Sequence, residues 1–265
     1  MAARERSPSS PKKSSPARSK AGSRPAARAQ TLAPQALLTR FDRGDFPASV
    51  YLDGPDEGLK AALLAELRRA WAHEVPEAPM ARVFSASEET VDELLAAFHG
   101  GSLFTPRELF IVLDVEDLTR SEKRILALAE GIARPAGASC MVLVESAGET
   151  VRKSLEALRG ACSVRCGADP PIRMQLLAWG TRRMAQETIT VEAGAMDAVL
   201  DACEGDAVAF FDELEKLVAW AGPGGRLGAA DVANILRPVV GADLPGYLGA
   251  VAAGDAPLAA RRLGL

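Results

Sequence analysis

The sequence has little of several features that mark specialised classes of protein. Its 265 residues contain four cysteines, two histidines and only 5% aromatic residues. No apolar run approaches the roughly 18–20 residues needed to cross a bilayer, and the N-terminus lacks the apolar core of a secretory signal. Cys162 and Cys166 have no second pair and no nearby histidine. This spacing argues against a zinc site and predicts free thiols in a reducing cytoplasm.

Charge is unevenly distributed along the chain. The formal net charge is −4, yet residues 1–30 carry eight Lys or Arg residues and a single acid, Glu5. This segment of Ser, Pro, Ala and Arg has almost nothing apolar to bury, so a disordered basic tail is predicted over residues 1–33. The tail either contacts nucleic acid through phosphate attraction or is a solubilising extension. The remaining chain is acidic, which gives no case for DNA as its main partner.

Strand and helix patterns alternate after the tail. Strands are predicted at ASVYLD, ARVFS, ELFIVLD, CMVLVE and CSVRC, with helical patterns between them. In the helix predicted over residues 57–72, apolar residues recur at every fourth position from Leu59 to Trp71. The continuous apolar run of ELFIVLD is typical of a strand covered on both faces. The alternation predicts an α/β domain with a parallel sheet flanked by helices over residues 34–168.

A second, purely helical region is predicted beyond the ADPP segment at residues 168–171. Paired prolines block helix continuation and stiffen a linker. Four helical patterns follow, which predict a small helical lid bundle over residues 169–240. Residues 241–265 begin another helical pair and are too few to bury a core. Something is therefore absent from this segment or is supplied by a partner.

The strand ASVYLD leads into GPDEGLKA, which partly matches the phosphate-loop template G-x-x-x-x-G-K-[ST]. Gly54 and Lys60 match the first glycine and the lysine, whereas Leu59 replaces the second glycine and Ala61 replaces the metal-binding hydroxyl. The aspartate and the glutamate of GPDEGLKA also lie where phosphate would bind. Each contact at ~4 Å between such a carboxylate and a phosphate would cost roughly 4 kcal/mol before screening. We therefore predict a degenerate loop that binds no nucleotide, with no cofactor.

Other catalytic arrangements are weak or missing. Asp114 and Glu116 follow ELFIVL but are split by Val115, which sends them to opposite faces if the strand continues. Ser146 has the position of a polar sensor, and Arg165 is either an arginine that reaches a neighbour's nucleotide or a plain surface residue. Neither histidine lies in a metal-binding or nucleophile motif. No catalytic residue and no metal site are predicted.

The segment FHGGSLFTPRELF places a large apolar pair in a connection that is expected to be polar. Two glycines end the preceding helix, and Leu103 and Phe104 follow Ser102. The pair either tucks under the domain or anchors another protein. Burial of each side chain is worth about 1.5–3 kcal/mol, enough for a modest interface.

Taken together, YLDGPDEGLK, GGSLFTPRELFIVLD and GDAVAFFDELEKLVAW resemble the delta subunit of the bacterial DNA polymerase III clamp loader, over residues 35–265. The resemblance implies an AAA+-type α/β fold, with a parallel sheet flanked by helices, a helical lid and the start of a helical collar. It also implies that ATP binding is lost. The tip of Ser102, Leu103 and Phe104 is then the element that enters the pocket of the sliding clamp.

The same resemblance implies a set of partners. These are the beta sliding clamp, the motor subunits of the loader and its delta prime subunit, with DNA contacted through the complex and no membrane. The chain would be a cytoplasmic component of the DNA-directed DNA polymerase III holoenzyme without catalysis of its own. The basic tail and the early end of the collar depart from the family's pattern. An ATP-hydrolysing AAA+ paralogue and a nucleic-acid-binding protein acting through the tail stay open as alternatives.

Overall fold

The computed structural model describes residues 29–78, 80–88, 90–100, 107–134, 137–146, 153–236 and 244–262. Six strands form one sheet: β1 (Gln30–Leu32), β2 (Ser49–Asp53), β3 (Arg82–Ser85), β4 (Leu109–Leu113), β5 (Cys140–Val144) and β6 (Val164–Gly167). All neighbours are parallel, in the order β1-β6-β2-β5-β4-β3. Strands β2 and β5 are buried along their whole length, because helices cover both faces of the sheet.

Five helices connect these strands: α1 (Pro34–Phe41), α2 (Glu57–Glu74), α3 (Val91–Gly100), α4 (Glu122–Ile132) and α5 (Glu156–Ala161). The buried side chains of α1 and α2 form one core cluster with one face of the sheet. Those of α3, α4 and α5 form a second cluster on the other face. The α/β fold with a parallel sheet flanked by helices is therefore confirmed.

The helical region begins after Gly167. Its helices α6 (Arg173–Gln186), α7 (Ala195–Ala202), α8 (Ala207–Ala221) and α9 (Ala229–Ile235) are called the lid here. The prediction of a purely helical segment is wrong in one respect, because β7 (Thr190–Val191) and β8 (Arg226–Leu227) pair in parallel. The chain segments after α6 and after α8 run side by side, and their backbone groups pair there. Helices α10 (Leu244–Ala252) and α11 (Ala256–Arg262) follow.

The edge strand β1 was not expected. Its three residues fall within the stretch predicted as a disordered tail, yet the Gln30 backbone N–H donates to the Ser163 carbonyl at 3.0 Å. The predicted tail therefore ends too late by these residues. A strand of three residues with a polar member shows no readable alternation in the sequence. The other predicted domain boundaries stay predictions.

The lid packs against the same side of the sheet as α1 and α2. Trp179 of α6 and Phe210 of α8 belong to the same core cluster as Leu63 of α2. Within the described residues, no helix is long and apolar enough to cross a membrane. For the rest of the text, residues 30–167 are called the sheet domain.

Candidate nucleotide site

The loop that partly matches a phosphate loop is short and packed against the end of the sheet. Only residues 54–56 separate β2 from α2. Gly54 has a φ of +109°, and a Cβ added there would lie 2.5 Å from the Ala168 carbonyl oxygen. The Asp56 backbone N–H donates to that same oxygen at 3.0 Å. Gly54 is thus required for a close backbone approach, and the loop curls onto the protein itself.

The first turn of α2 is capped from within. The Asp56 carboxylate accepts a hydrogen bond from the Leu59 backbone N–H at 2.6 Å. The free N–H groups of a helix N-terminus are the groups that bind phosphate in nucleotide sites. Here a carboxylate takes that place and adds negative charge. The side chain of Leu59, at the position of the template's second glycine, is buried in the core.

The lysine of the template is also engaged. Lys60 is buried, and its Nζ donates to Glu57 Oε1 at 2.7 Å and to the Glu145 carbonyl oxygen at 2.6 Å. Its charge is therefore compensated inside the protein. At the next position, Ala61 offers no hydroxyl that would ligate magnesium. The groups of this loop that would face a phosphate are thus bonded within the protein: the Leu59 N–H to Asp56 and the Lys60 amine to Glu57 and Glu145.

The two acids after β4 lie together, contrary to the expectation for a continuing strand. The strand ends at Leu113, and Asp114 adopts a left-handed conformation with φ 56°. The Ser146 hydroxyl donates to Asp114 Oδ1 at 2.7 Å, and the Ser146 backbone N–H donates to Glu116 Oε2 at 3.2 Å. The left-handed residue turns the chain, so both carboxylates hold the connection after β5 in place.

A group of charged side chains fills the carboxyl end of the sheet. We call it the sheet-end cluster, and its members are Tyr51, Asp53, Glu145, Arg159 and Arg165. Glu145 Oε2 accepts from the Tyr51 hydroxyl at 2.8 Å and from Arg159 Nη2 at 2.7 Å. Asp53 Oδ2 accepts from Arg165 Nε at 2.9 Å. Arg165 is thus paired within its own chain, which favours the reading that it is not directed at a neighbour's nucleotide.

Burial and charge act together in this cluster. Burial, reinforced by the adjacent Glu145 carboxylate, raises the pKa of Tyr51 well above its ordinary range, so its hydroxyl stays protonated and donates. Burial is the largest single influence on Arg159 and would lower its pKa, but its hydrogen bonds to Glu145 and Glu156 and the nearby charges together outweigh burial, so the pKa is raised. The carboxyl ends of parallel strands are where α/β proteins usually bind ligands. Here that edge is occupied by internal ion pairs.

The sequence did not single out this cluster, although it contained a signal. Asp53 is the last residue of the apolar strand β2 and Glu145 directly follows β5, and these strands lie side by side. Acids at the ends of adjacent parallel strands meet at one edge of the sheet. The basic partner Arg159 comes from α5, and only the packing of that helix brings it there.

The cysteines behave as structural residues. All four are free, as predicted, and the structure shows that all four are also buried; burial raises the pKa of Cys140, Cys162 and Cys166 to about 12. Such thiols stay protonated at neutral pH and are poor nucleophiles. Among the described residues, no group of three His, Cys, Asp or Glu side chains could hold a metal ion.

The predicted apolar tip of Ser102, Leu103 and Phe104 lies outside the described residues. Its downstream flank is described and is held firmly. Arg107 Nη2 donates to the Glu74 carbonyl at 2.9 Å, and its guanidinium lies 5.8 Å from the centre of the Trp71 ring. The segment that carries the tip therefore joins β4 at an anchored point.

Comparisons with solved structures support the class of fold, an α/β domain with a parallel sheet followed by a helical lid. The chain is similar in fold to the DNA clamp loader delta protein YqeN of Bacillus subtilis, with a TM-score of 0.60 and 17% identity, over 87% of this chain and 71% of that one. The RuvB Holliday junction branch migration motor of Thermotoga maritima aligns with a TM-score of 0.40 and 15% identity, over 76% of this chain and 65% of that one. Domain III of the replication initiation protein DnaA from the same organism aligns with a TM-score of 0.41 and 12% identity, over 77% of this chain and 91% of that one. Comparisons with protein families and with curated proteins find no match.

Proposed function

We propose that this chain is a delta-type subunit of a bacterial clamp loader that binds a sliding clamp and hydrolyses no ATP itself. The observation that carries the proposal is the likeness in fold to a clamp loader delta protein over 87% of the chain. The closed phosphate loop supports the second half of it. Asp56 caps the helix that would cradle phosphate, and Lys60 is held by Glu57 and the Glu145 carbonyl.

The clamp-binding element in this proposal is the tip of Ser102, Leu103 and Phe104. Leu103 and Phe104 fill an apolar pocket on the clamp, and Ser102 precedes them at the edge of the contact. The anchored Arg107 lowers the ordering cost of binding, since one end of the segment is held before the clamp arrives. Stronger binding to the opened ring than to the closed one then shifts the ring toward opening.

The other partners follow from the same proposal. The motor subunits and a delta prime subunit would supply nucleotide hydrolysis and would expose or withdraw the tip. DNA would be contacted through the assembled complex, in the cytoplasm, as part of a DNA polymerase III holoenzyme. The chain itself would act as a rigid mount for the tip and would contribute no chemistry.

The direct test is co-elution of the chain with a purified bacterial sliding clamp on a sizing column. We expect the Leu103→Ala, Phe104→Ala double variant to lose clamp affinity by at least roughly 100-fold, since burial of each side chain contributes about 1.5–3 kcal/mol to the free energy of binding. A matched control is Met174→Ala with Trp220→Ala, because both side chains are exposed on the lid. Native affinity in the tip variant would show that the assignment of the tip is wrong.

A second test separates the alternative functions. A fluorescent ATP analogue with magnesium is titrated into the chain, and we expect no saturable binding in the micromolar range. Binding in that range would favour the ATP-hydrolysing paralogue. Deletion of residues 1–28, which leaves β1 intact, should leave clamp affinity unchanged. A loss of nucleic-acid binding as the main consequence would favour the function that acts through the tail.

A further inference from the structure

A second group of charged side chains joins the lid to the sheet domain. We call it the joint cluster. Its members are Asp42 at the end of α1, Glu66 and Arg69 on α2, Arg182, Arg183 and Gln186 on α6, and Glu215 on α8. Nothing in the sequence pattern pointed to it, because its members are scattered over 174 positions of the chain.

The centre of the joint cluster is the buried carboxylate of Glu66. It accepts from Arg182 Nη1 at 2.7 Å and from Gln186 Nε2 at 3.1 Å, and it pairs with Arg69 on its own helix. Arg182 also donates through Nε to Asp42 Oδ2 at 2.8 Å. One arginine of the lid therefore bridges two helices of the sheet domain.

A parallel connection runs through α8. Arg69 Nη2 donates to Glu215 Oε1 at 3.1 Å. In this contact the sheet domain supplies the arginine and the lid supplies the carboxylate. Glu215 in turn accepts from Arg183 Nε at 2.9 Å and Nη2 at 3.1 Å. Each region thus supplies an arginine to a carboxylate of the other, so separation of the lid from α1 and α2 would break charged hydrogen bonds, each stronger than a neutral one.

The shared apolar core of the lid and the sheet domain is flanked by two clefts. A cavity of about 250 Å³ lies between α2 and α8, beside the small residues Gly58, Ala61 and Ala65. A larger cavity of about 560 Å³ lies between the lid and the start of α1, with Leu59 and Trp179 in its walls. Both clefts are open to solvent, so the ion pairs lie beside the shared apolar core and act together with it in holding the lid.

We propose that the joint cluster holds the lid at one angle to the sheet domain, so that the orientation is set by internal ion pairs and needs no bound nucleotide. Arg182 is the positioning residue, because its charged guanidinium pairs with both Asp42 and Glu66, whereas Gln186 reaches the same two carboxylates only through a neutral amide, at 3.4 and 3.1 Å. The proposal does not depend on whether the chain binds a clamp. It concerns the geometry of the free chain, so a failure of clamp binding leaves it standing; its independence of nucleotide rests on the proposed function, which the ATP-analogue titration tests separately.

The test measures the distance between the two regions in the full chain. Spin labels are attached at Lys123→Cys on α4 and Ala219→Cys on α8, both of which are exposed positions. The four native cysteines are buried and are spared by the label. We expect one narrow distance distribution that is the same with and without magnesium-ATP. A distribution that is broad, or that shifts with magnesium-ATP, would overturn the proposal.

The variant Arg182→Gln should broaden that distribution. The matched control is Arg173→Gln on the same helix, because Arg173 also pairs with two carboxylates, those of Asp197 and Asp201, but both lie within the lid. An unchanged distribution in Arg182→Gln, or equal broadening in Arg173→Gln, would overturn the proposal. If Arg182→Gln does not fold, Arg182→Lys replaces it, since a lysine cannot reach both acids. An unchanged distribution in Arg182→Lys would then count against the joint.

Discussion

The sheet-end cluster and the joint cluster are both built from pairs of arginine with carboxylates, but they differ in what they connect. Tyr51, Asp53, Glu145, Arg159 and Arg165 all belong to the sheet domain. The joint cluster takes Asp42, Glu66 and Arg69 from the sheet domain and Arg182, Arg183 and Glu215 from the lid. The sheet-end cluster occupies the edge of the sheet where α/β proteins usually bind ligands. The joint cluster links the lid to the sheet domain.

The comparison shows why buried ion pairs cannot be interpreted by composition alone. Both clusters cost desolvation energy that is offset only when every member keeps its partner. In the sheet-end cluster the loss of a partner leaves charge stranded inside one core. In the joint cluster we expect the loss of a partner to cost less, because a shift of the lid would let water hydrate the remaining charge. We therefore expect equal substitutions to have unequal effects.

The largest effect is expected for Arg159→Met. Arg159 is 3% exposed, and its removal leaves the carboxylates of Glu145 and Asp53 buried at 8% exposure each. Breaking a buried pair by removing one partner costs about 3–5 kcal/mol. Urea unfolding followed by circular dichroism measures the loss. A cost below about 1 kcal/mol, the range of exposed pairs, would mean that water reaches the sheet-end cluster and that the comparison fails.

Glu66→Gln should cost less, about 1.5–3 kcal/mol at neutral pH, the usual worth of hydrogen bonds to a charged group. The pKa of the Glu66 carboxyl lies below its ordinary value of 4.5. Burial by itself would raise this pKa, but the adjacent Arg69 and Arg182 lower it by more than burial raises it. A carboxyl with a lowered pKa stabilises the folded state above its unfolded pKa, and that stability is lost as the pH falls through the folded pKa.

The pH dependence of this variant sharpens the comparison. The difference in unfolding free energy between the parent and Glu66→Gln should be complete at pH 7 and should shrink as the pH falls below 4.5. Thermal unfolding across that range measures it. Asp197→Asn serves as a control, because Asp197 pairs on the exposed surface of the lid. A difference that stays constant down to acid pH would contradict the assignment of Glu66 as the ionised centre.

Lys60→Met is expected to change stability by less than about 1.5 kcal/mol, because replacing a buried charge by an apolar side chain of similar size also removes its desolvation cost. The partner Glu57 is half exposed and can be hydrated when the amine is lost. The same unfolding assay measures the change, and the ATP-analogue titration should match that of the parent. A nucleotide affinity that depends on Lys60 would show that the loop still binds phosphate.

The smallest effect is expected for Arg165→Gln. Arg165 pairs with Asp53 but its side chain is 36% exposed, and exposed ion pairs contribute at most about 1 kcal/mol. Urea unfolding of this variant beside Arg159→Met compares two arginines on the same carboxylate. Equal losses would mean that exposure does not separate them.

Much of the sheet domain could be predicted from the sequence, because its central strands are continuous apolar runs and apolar residues recur every three to four positions in its helices. Residues 57–72 were predicted to be helical and lie within α2. The degenerate loop was also readable, since Leu59 and Ala61 replace residues with defined physical roles. The capping of α2 by Asp56 and the engagement of Lys60 were not predicted, because both depend on where Glu145 and Ala168 lie.

The amino-acid sequence by itself determined the alternation of strands and helices and the replacement of the phosphate-binding residues. These depend on side-chain type and local spacing. Only the tertiary structure decided that Asp114 and Glu116 meet at Ser146, that β1 extends the sheet, and that Glu66 and Arg182 form the centre of a joint. Each of these contacts joins residues far apart in the chain, and the free energy that selects the partner comes from packing and desolvation, which no short stretch of sequence contains.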